Sequence, residues 1–307
     1  SELETRAKDE GFTSFGFNNI FGAFFFLVFR GGKFDVLHAQ TSYVLTYAVF
    51  SKAFHGAKTM FTRRILKIPA GVFTKWKYKQ TDRIVAISPA VKKIMEDFTG
   101  SNVPMISDIV VAKSLDEQRA KRLLGELKID SGTFILGTTA ALTREKAPLM
   151  MIEAVRLLSM KRKDFVFLHF GAGQLQGDME KLIDKYDLSR VYHLIGYKEN
   201  VEDFFSILNV FMMSSELEGL GSSVLDAFMY KVPVVSTDAG GLHELLQGGR
   251  GILCRKNKPG SLAAGVEQLL THPEMAGEMT GKAFAYVRQF HSLEYVTEQY
   301  VDLIEKL

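Results

Sequence analysis

Through the second half of the chain, short runs of β-branched and aromatic residues alternate with segments of helical spacing. The runs are Thr133–Thr138, Phe165–Phe170, Val191–Ile195, Val210–Met213, Val232–Ser236 and Gly251–Cys254. Between them lie Leu149–Leu158, Gly177–Tyr186, Ser222–Tyr230 and Leu242–Gln247. Strand, helix, strand, repeated, implies right-handed crossovers, so the pattern predicts a parallel sheet. The runs are almost continuously apolar, which predicts helices on both faces of that sheet.

The first half repeats the pattern less cleanly. Phe34–His38 and Arg83–Ile87 read as strands, Lys58–Thr62 as another, and Pro89–Phe98 as a helix. A charged helix, Asp116–Leu127, leads into the second sheet. A length of 307 residues exceeds one typical α/β domain. The expected division is an N-terminal unit, residues 1–115, and a C-terminal unit, residues 116–290. Pro273–Phe290 and Leu293–Leu307 close the chain with helical spacing.

Several function classes are disfavoured. The single cysteine, Cys254, excludes an internal disulfide and a cysteine metal site, and it reads as a buried thiol in a reducing compartment. No run approaches the ~18 apolar residues that span a bilayer. The nearest, Ile20–Phe29, reads as a helix buried inside a domain, with a membrane-dipping surface as the alternative. Residues 51–81 hold Lys52, Lys58, Arg63, Arg64, Lys67, Lys75, Lys77 and Lys79 and no acid. Such a stretch is a solvated basic face or attracts phosphates, on a substrate or an anionic membrane. No helix-turn-helix, zinc or RNA-binding signature accompanies it, which argues against nucleic acid.

Ligands of parallel α/β sheets sit at the carboxyl ends of strands. SSELEGLGSSVLDAF, Ser214–Phe228, occupies such an end. Its glycines, Gly221 among them, let backbone approach a ligand. The amides at Ser222 and Ser223, opening a helix, can hold a phosphate. Glu218 and Asp226 can accept hydrogen bonds from polyol hydroxyls. On local physics alone, Asp226 equally complements a helix dipole and Glu218 is equally a solvated loop acid. Neighbouring strand ends add Asp238–Glu244 with its paired glycines, Thr138–Lys146 with Arg144 and Lys146, and Gly171-Ala172-Gly173.

SSELEGLGSSVLDAFMYKVPVVSTDAGGLHELL resembles the donor-binding signature of the family 4 (group 1) retaining glycosyltransferases: Glu-x7-Glu followed by Gly-Gly-x-x-Glu. LTREK resembles that family's lysine loop, FVFLHFGAGQLQGDMEKL its glycine turn, and FDVLHAQ and DRIVAISPAVKKIM segments of its N-terminal domain. The resemblance implies a GT-B fold, two Rossmann-like domains facing a cleft, with the last helix, residues 291–307, completing the first domain. It implies that Glu218 touches the transferred sugar, Asp226 the ribose, and Lys146 the diphosphate, with Gly240, Gly241 and Glu244 along the sugar and phosphates. Arg63 and Arg64, in the basic stretch, would suit a phosphate-bearing acceptor, and His38, at a strand end, either faces the cleft on the acceptor side or is a satisfied structural histidine.

Three departures from the family pattern stand out. The second acid is Asp226 rather than glutamate, Ala141 stands where an arginine often precedes the lysine, and the first residues resemble the segment after the family's first strand. The N-terminal domain is therefore expected to lack that strand. The implied function is transfer of a sugar from a UDP- or GDP-linked donor, a substrate rather than a cofactor, to a glycan or lipid-linked acceptor. No Asp-x-Asp occurs, so no metal is expected. Bacterial envelope polysaccharide or lipopolysaccharide synthesis, in the cytoplasm at the inner face of the membrane, is the implied setting. The departures leave open a non-catalytic relative that keeps only the fold and a binding or scaffold role.

Overall fold

Every apolar run of the second half becomes a strand in the computed structural model, which describes residues 2–307. The N-terminal unit contains α1 (Glu2–Asp9), α2 (Ile20–Arg30), β1 (Val36–Ala39), α3 (Ser42–Ser51), β2 (Lys58–Arg63), α4 (Val72–Lys79), β3 (Arg83–Ala86) and α5 (Pro89–Thr99). The C-terminal unit runs α6 (Glu117–Glu126), β4 (Phe134–Thr139), α7 (Pro148–Ser159), β5 (Phe165–Phe170), α8 (Gln176–Lys185), β6 (Tyr192–Gly196), β7 (Val210–Met213), α9 (Ser222–Met229), β8 (Val234–Thr237), α10 (Gly241–Leu246) and β9 (Ile252–Cys254). Helices α11 (Pro259–Thr271), α12 (Pro273–Phe290) and α13 (Leu293–Glu305) follow.

Both sheets are wholly parallel. The larger has the order β6-β5-β4-β7-β8-β9. Alternate residues of each strand feed opposite cores. Leu136, Phe167, Val210 and Val235 meet Met151, Val155 and Val266 of α7 and α11, whereas Ile135, Leu168, Phe211 and Val234 meet Val224, Phe228 and Leu242 of α9 and α10. Two buried faces demand apolar residues at every strand position, which explains the unbroken runs. Full burial of a side chain such as Phe211 or Phe228 contributes about 1.5–3 kcal/mol.

The smaller sheet has the order β1-β2-β3. Among the described residues β1 pairs only with β2. Helix α13 returns to this sheet, where Val296 packs with Met60 and Val85. Side chains cap the helices of this unit: the Thr41 hydroxyl accepts from the Val44 amide at the start of α3, and Ser88 from Val91 at the start of α5.

Helix α2 departs from the expectation of a buried segment. None of its residues is buried, and Phe21 and Phe29 are 70% and 78% exposed. No helix among the described residues is long and apolar enough to cross a membrane. Cys254 is buried, and its thiol donates to the Ser261 carbonyl.

Candidate active site

From β4 the sheet grows one way through β5 and β6; from β7 it grows the other way through β8 and β9. The loops after β4 and β7 therefore part to opposite faces and leave a crevice at the switch point. Lys146 stands on the first loop and Glu218 on the second. Hydrogen bonds stitch these loops together. The Ser214 hydroxyl donates to the carbonyls of Lys146 (2.8 Å) and Ala147 (3.1 Å), and the Glu216 amide to Glu145 (2.8 Å). The result is a direct ion pair between Lys146 Nζ and Glu218 Oε2, with the Ser215 hydroxyl donating to the same oxygen at 3.2 Å. Both side chains are partly buried.

The glycines hold this arrangement close. Gly241 donates its amide to the Glu218 carbonyl at 2.9 Å. Gly240 has φ +55° and ψ −120°, and a Cβ there would lie 2.3 Å from that carbonyl oxygen. Gly171 has φ +151°, and a Cβ would lie 2.0 Å from the Ala140 carbonyl oxygen, so its turn is pressed against the lysine loop. Gly221, at φ +99°, opens α9. The first turn of α9 leaves the Ser222 and Ser223 amides without intrahelical acceptors, facing the crevice end of the sheet.

Asp226 lies one turn further, half-buried. Burial, and then the neighbouring Glu202 carboxylate, push its pKa up to about 6, against the pull of Lys113. Lys113 and Glu202 pair with each other. A raised carboxylate pKa means that the folded state holds the proton more tightly than the unfolded chain. Asp226 therefore costs stability progressively as pH rises from about 4 to about 6. Asp226→Asn is expected to raise stability at about pH 7.5 by on the order of 2 kcal/mol and to leave it unchanged near pH 4. Thermal melts at the two pH values check this.

Residues 120–285, more than half of the chain, match the family described as glycosyl transferases group 1. The chain belongs to the group 1 glycosyltransferases. It is 28% identical over 186 residues to the uncharacterized glycosyltransferase MJ1059 of Methanocaldococcus jannaschii, covering 59% of this chain and 44% of that protein. It is 25% identical over 171 residues to the poly(ribitol-phosphate) alpha-N-acetylglucosaminyltransferase of Staphylococcus aureus, covering 55% of this chain and 35% of that protein. The match thus spans less than half the length of each relative. Anabaena Alr3699/HepE in complex with UDP and glucose superposes with a TM-score of 0.86 at 16% identity, covering 100% of this chain and 90% of that one. The fold is GT-B.

This group 1 glycosyltransferase places its other sequence-derived site residues unevenly. Arg144 shares a short turn with Lys146. Glu244 lines a cavity of about 280 Å³ with Ser107, Leu220 and Tyr286; burial raises its pKa, opposed by Arg250. Arg63 does not face the cleft. It is buried, donating to the Ile65 and Lys67 carbonyls and the Tyr78 hydroxyl, so its guanidinium shapes its own loop. Arg64 is partly exposed and pairs with Asp108. His38 contacts Thr62 at 2.7 Å; burial, then Arg64, lower its pKa. Thr62 in turn contacts the Tyr300 hydroxyl of α13 at 3.1 Å.

Other residues near these loops emerge from the structure. Tyr197 and Lys198 join Ala141 and Gly171 around an open cavity of about 430 Å³ at the ends of β4, β5 and β6. His169 is buried, with a pKa lowered to about 4 mainly by burial; its Nε2 donates to the Ala140 carbonyl and its Nδ1 accepts from Tyr192. It thereby fixes the loop that begins at Ala140. Gln40 and Asp108 complete the network around Arg64. Strand-end position pointed to the loop that holds Tyr197 and Lys198, and no local motif marks His169, Gln40 or Asp108. Among the described residues no group of three or more His, Cys, Asp or Glu side chains is placed to hold a metal ion.

Proposed function

We propose that this protein is a retaining, family 4-type hexosyltransferase that takes its sugar from a UDP- or GDP-linked donor. The carrying observation is the Lys146–Glu218 pair beside the open amides of Ser222 and Ser223 at the switch point. The likeness to a structure that holds UDP and glucose supports the choice of ligand class. Lys146, with Arg144 nearby, meets the donor diphosphate, and the α9 amides take a phosphate oxygen. Glu218 exchanges its lysine for hydroxyls of the sugar, and Asp226, ionised above pH 6, accepts from the ribose. The base enters the cavity between Ala141 and Tyr197.

The bond from anomeric carbon to diphosphate oxygen breaks, and the acceptor oxygen bonds to that carbon from the same face. The departing diphosphate takes the acceptor proton. The protein's contribution is positioning and stabilisation of the diphosphate charge by Lys146. A glycan or lipid-linked acceptor approaches along His38 and Arg64. Bacterial envelope polysaccharide or lipopolysaccharide assembly, at the inner face of the membrane, is the setting in which such acceptors occur. The relative that glycosylates poly(ribitol-phosphate) supports a polymeric acceptor.

Thermal melting against UDP, GDP, ADP and their sugar conjugates tests the reading. A ligand at 100 times its Kd adds about 2.7 kcal/mol, a shift of several degrees. One nucleotide is expected to shift the melt, and Glu218→Ala to weaken only its sugar conjugate. A flat panel would overturn the reading in favour of a non-catalytic scaffold.

A further inference from the structure

Helix α4 is packed with its polarity reversed. Its buried residues are Lys77 and Tyr78, whereas Val72, Phe73 and Trp76 face outward at 88%, 52% and 41% exposure. Lys77 is reconciled with the interior by its contacts: its Nζ donates to the Ser42 carbonyl (2.7 Å), the Ser42 hydroxyl (2.9 Å) and the Thr46 hydroxyl (3.1 Å). No comparable contact accounts for the outward face. Phe73 stacks on Trp76 and on Phe50 of α3, and Trp76 packs tilted against Phe50, with ring centroids 5.7–6.0 Å apart. The cluster is thus a preformed, ordered aromatic surface, and Ile68 of the preceding loop is also exposed. Exposed apolar patches of this kind mark interaction sites.

Charge specifies the partner. Residues 51–81 contain no acid. Of their basic side chains, Arg63 and Lys77 are buried and Lys52 is paired with Asp82. Lys67, Lys75 and Lys79 are exposed and make no ion pair among the described residues. They flank the aromatic cluster in sequence: Lys75 and Lys79 on the same helix, Lys67 in the loop that leads to it. Aromatic rings ringed by unpaired lysines suit the boundary between acyl chains and anionic headgroups. A protein partner would need an acidic and apolar surface together, and a second copy would oppose lysine to lysine. We propose that the α3–α4 face, centred on Phe50, Phe73 and Trp76, docks on an anionic bilayer surface. The proposal stands independently of the transfer reaction. If that reaction holds, the loop Arg64–Lys67 runs from this face to the cleft and would lead a lipid-linked acceptor there.

Trp76 is the only tryptophan of the chain, so the surface carries its own reporter. The full chain is mixed with phosphatidylcholine vesicles, with and without about one third phosphatidylglycerol. The expected result is a blue shift of Trp76 emission and co-sedimentation with the anionic vesicles alone, both reversed by about 0.5 M salt. The double variant Lys75→Glu, Lys79→Glu is expected to lower partitioning at least about tenfold, since each lysine near the surface is worth roughly fivefold. Phe73→Ser should lower it as well while retaining the reporter. These side chains are exposed, so unchanged circular dichroism and melting temperature confirm that the variants fold. The proposal is overturned by unchanged emission with anionic vesicles or by equal binding to neutral ones. An emission shift that follows protein concentration without vesicles would assign the face to a second copy and overturn it equally.

Discussion

Lys146→Ala is expected to reduce sugar transfer by about 10²–10³-fold while changing the melting temperature of the free protein little. Two opposed effects set the stability outcome. The variant loses the ion pair with Glu218, but that pair is partly exposed and the Ser215 hydroxyl still donates to the carboxylate. Catalysis has no such substitute. Residue 141, on the same loop, is an alanine, and Arg144 belongs to the same short turn as Lys146. In the proposed reaction the charge that grows on the departing diphosphate would then meet only the α9 amides and Arg144. A full charge at about 4 Å is worth on the order of 4 kcal/mol at the effective dielectric of a protein surface, against roughly 3–4 kcal/mol for the expected rate loss. The measurement is kcat for nucleotide release from the donor chosen by the melting panel, with acceptor present. Retention of activity within a factor of three would remove Lys146 from the reaction.

Gly240→Ala should cost both stability and activity. The backbone at φ +55°, ψ −120° lies outside the regions open to residues with a Cβ. The added carbon would also lie 2.3 Å from the Glu218 carbonyl oxygen and 2.4 Å from Leu66 Cδ1. The leucine can rotate. The carbonyl cannot withdraw without breaking its bond from the Gly241 amide and moving Glu218 away from Lys146. The expected loss is about 2–4 kcal/mol of stability and at least 100-fold in kcat/KM. Gly177→Ala is the internal control. Nothing lies within 4 Å of its Cβ position and α8 surrounds it, so a gain of about 0.4–1 kcal/mol is expected. Melting curves and initial rates on the two variants separate a local clash from a general effect of methyl addition.

Much of the C-terminal unit was legible because its physics is local. A strand buried on both faces must be apolar at each position, so β4, β5, β7 and β8 stand out from their surroundings within a residue or two of the observed bounds. The glycine loops were visible for a related reason: close backbone approach admits no other residue. The N-terminal unit was harder to read. Helices α3 and α4 were not anticipated, and α4 shows why. Its inward lysine and outward aromatics invert the pattern on which a helical stripe is recognised. Helix α11 begins with Pro-Gly-Ser, which reads as a turn until packing against α7 is known. Arg63 and Arg64 are adjacent in the chain and alike in chemistry, yet one lies inside the protein and the other is partly exposed and paired with Asp108.

The chain by itself determined the parallel α/β architecture, the strand-end loops and the residue types that a phosphate- and sugar-binding crevice needs. Those properties follow from periodicity and from steric limits that act over a few residues. Only the tertiary structure decided that Lys146 meets Glu218 across the switch point, that Glu244 lines a cavity with Leu220 and Tyr286, and that Arg63 turns inward. These outcomes depend on which strands are neighbours in the sheet and on which carbonyls are left to accept. Contacts between residues 72 positions apart, as for Lys146 and Glu218, are set by that neighbourhood, and no local pattern encodes it.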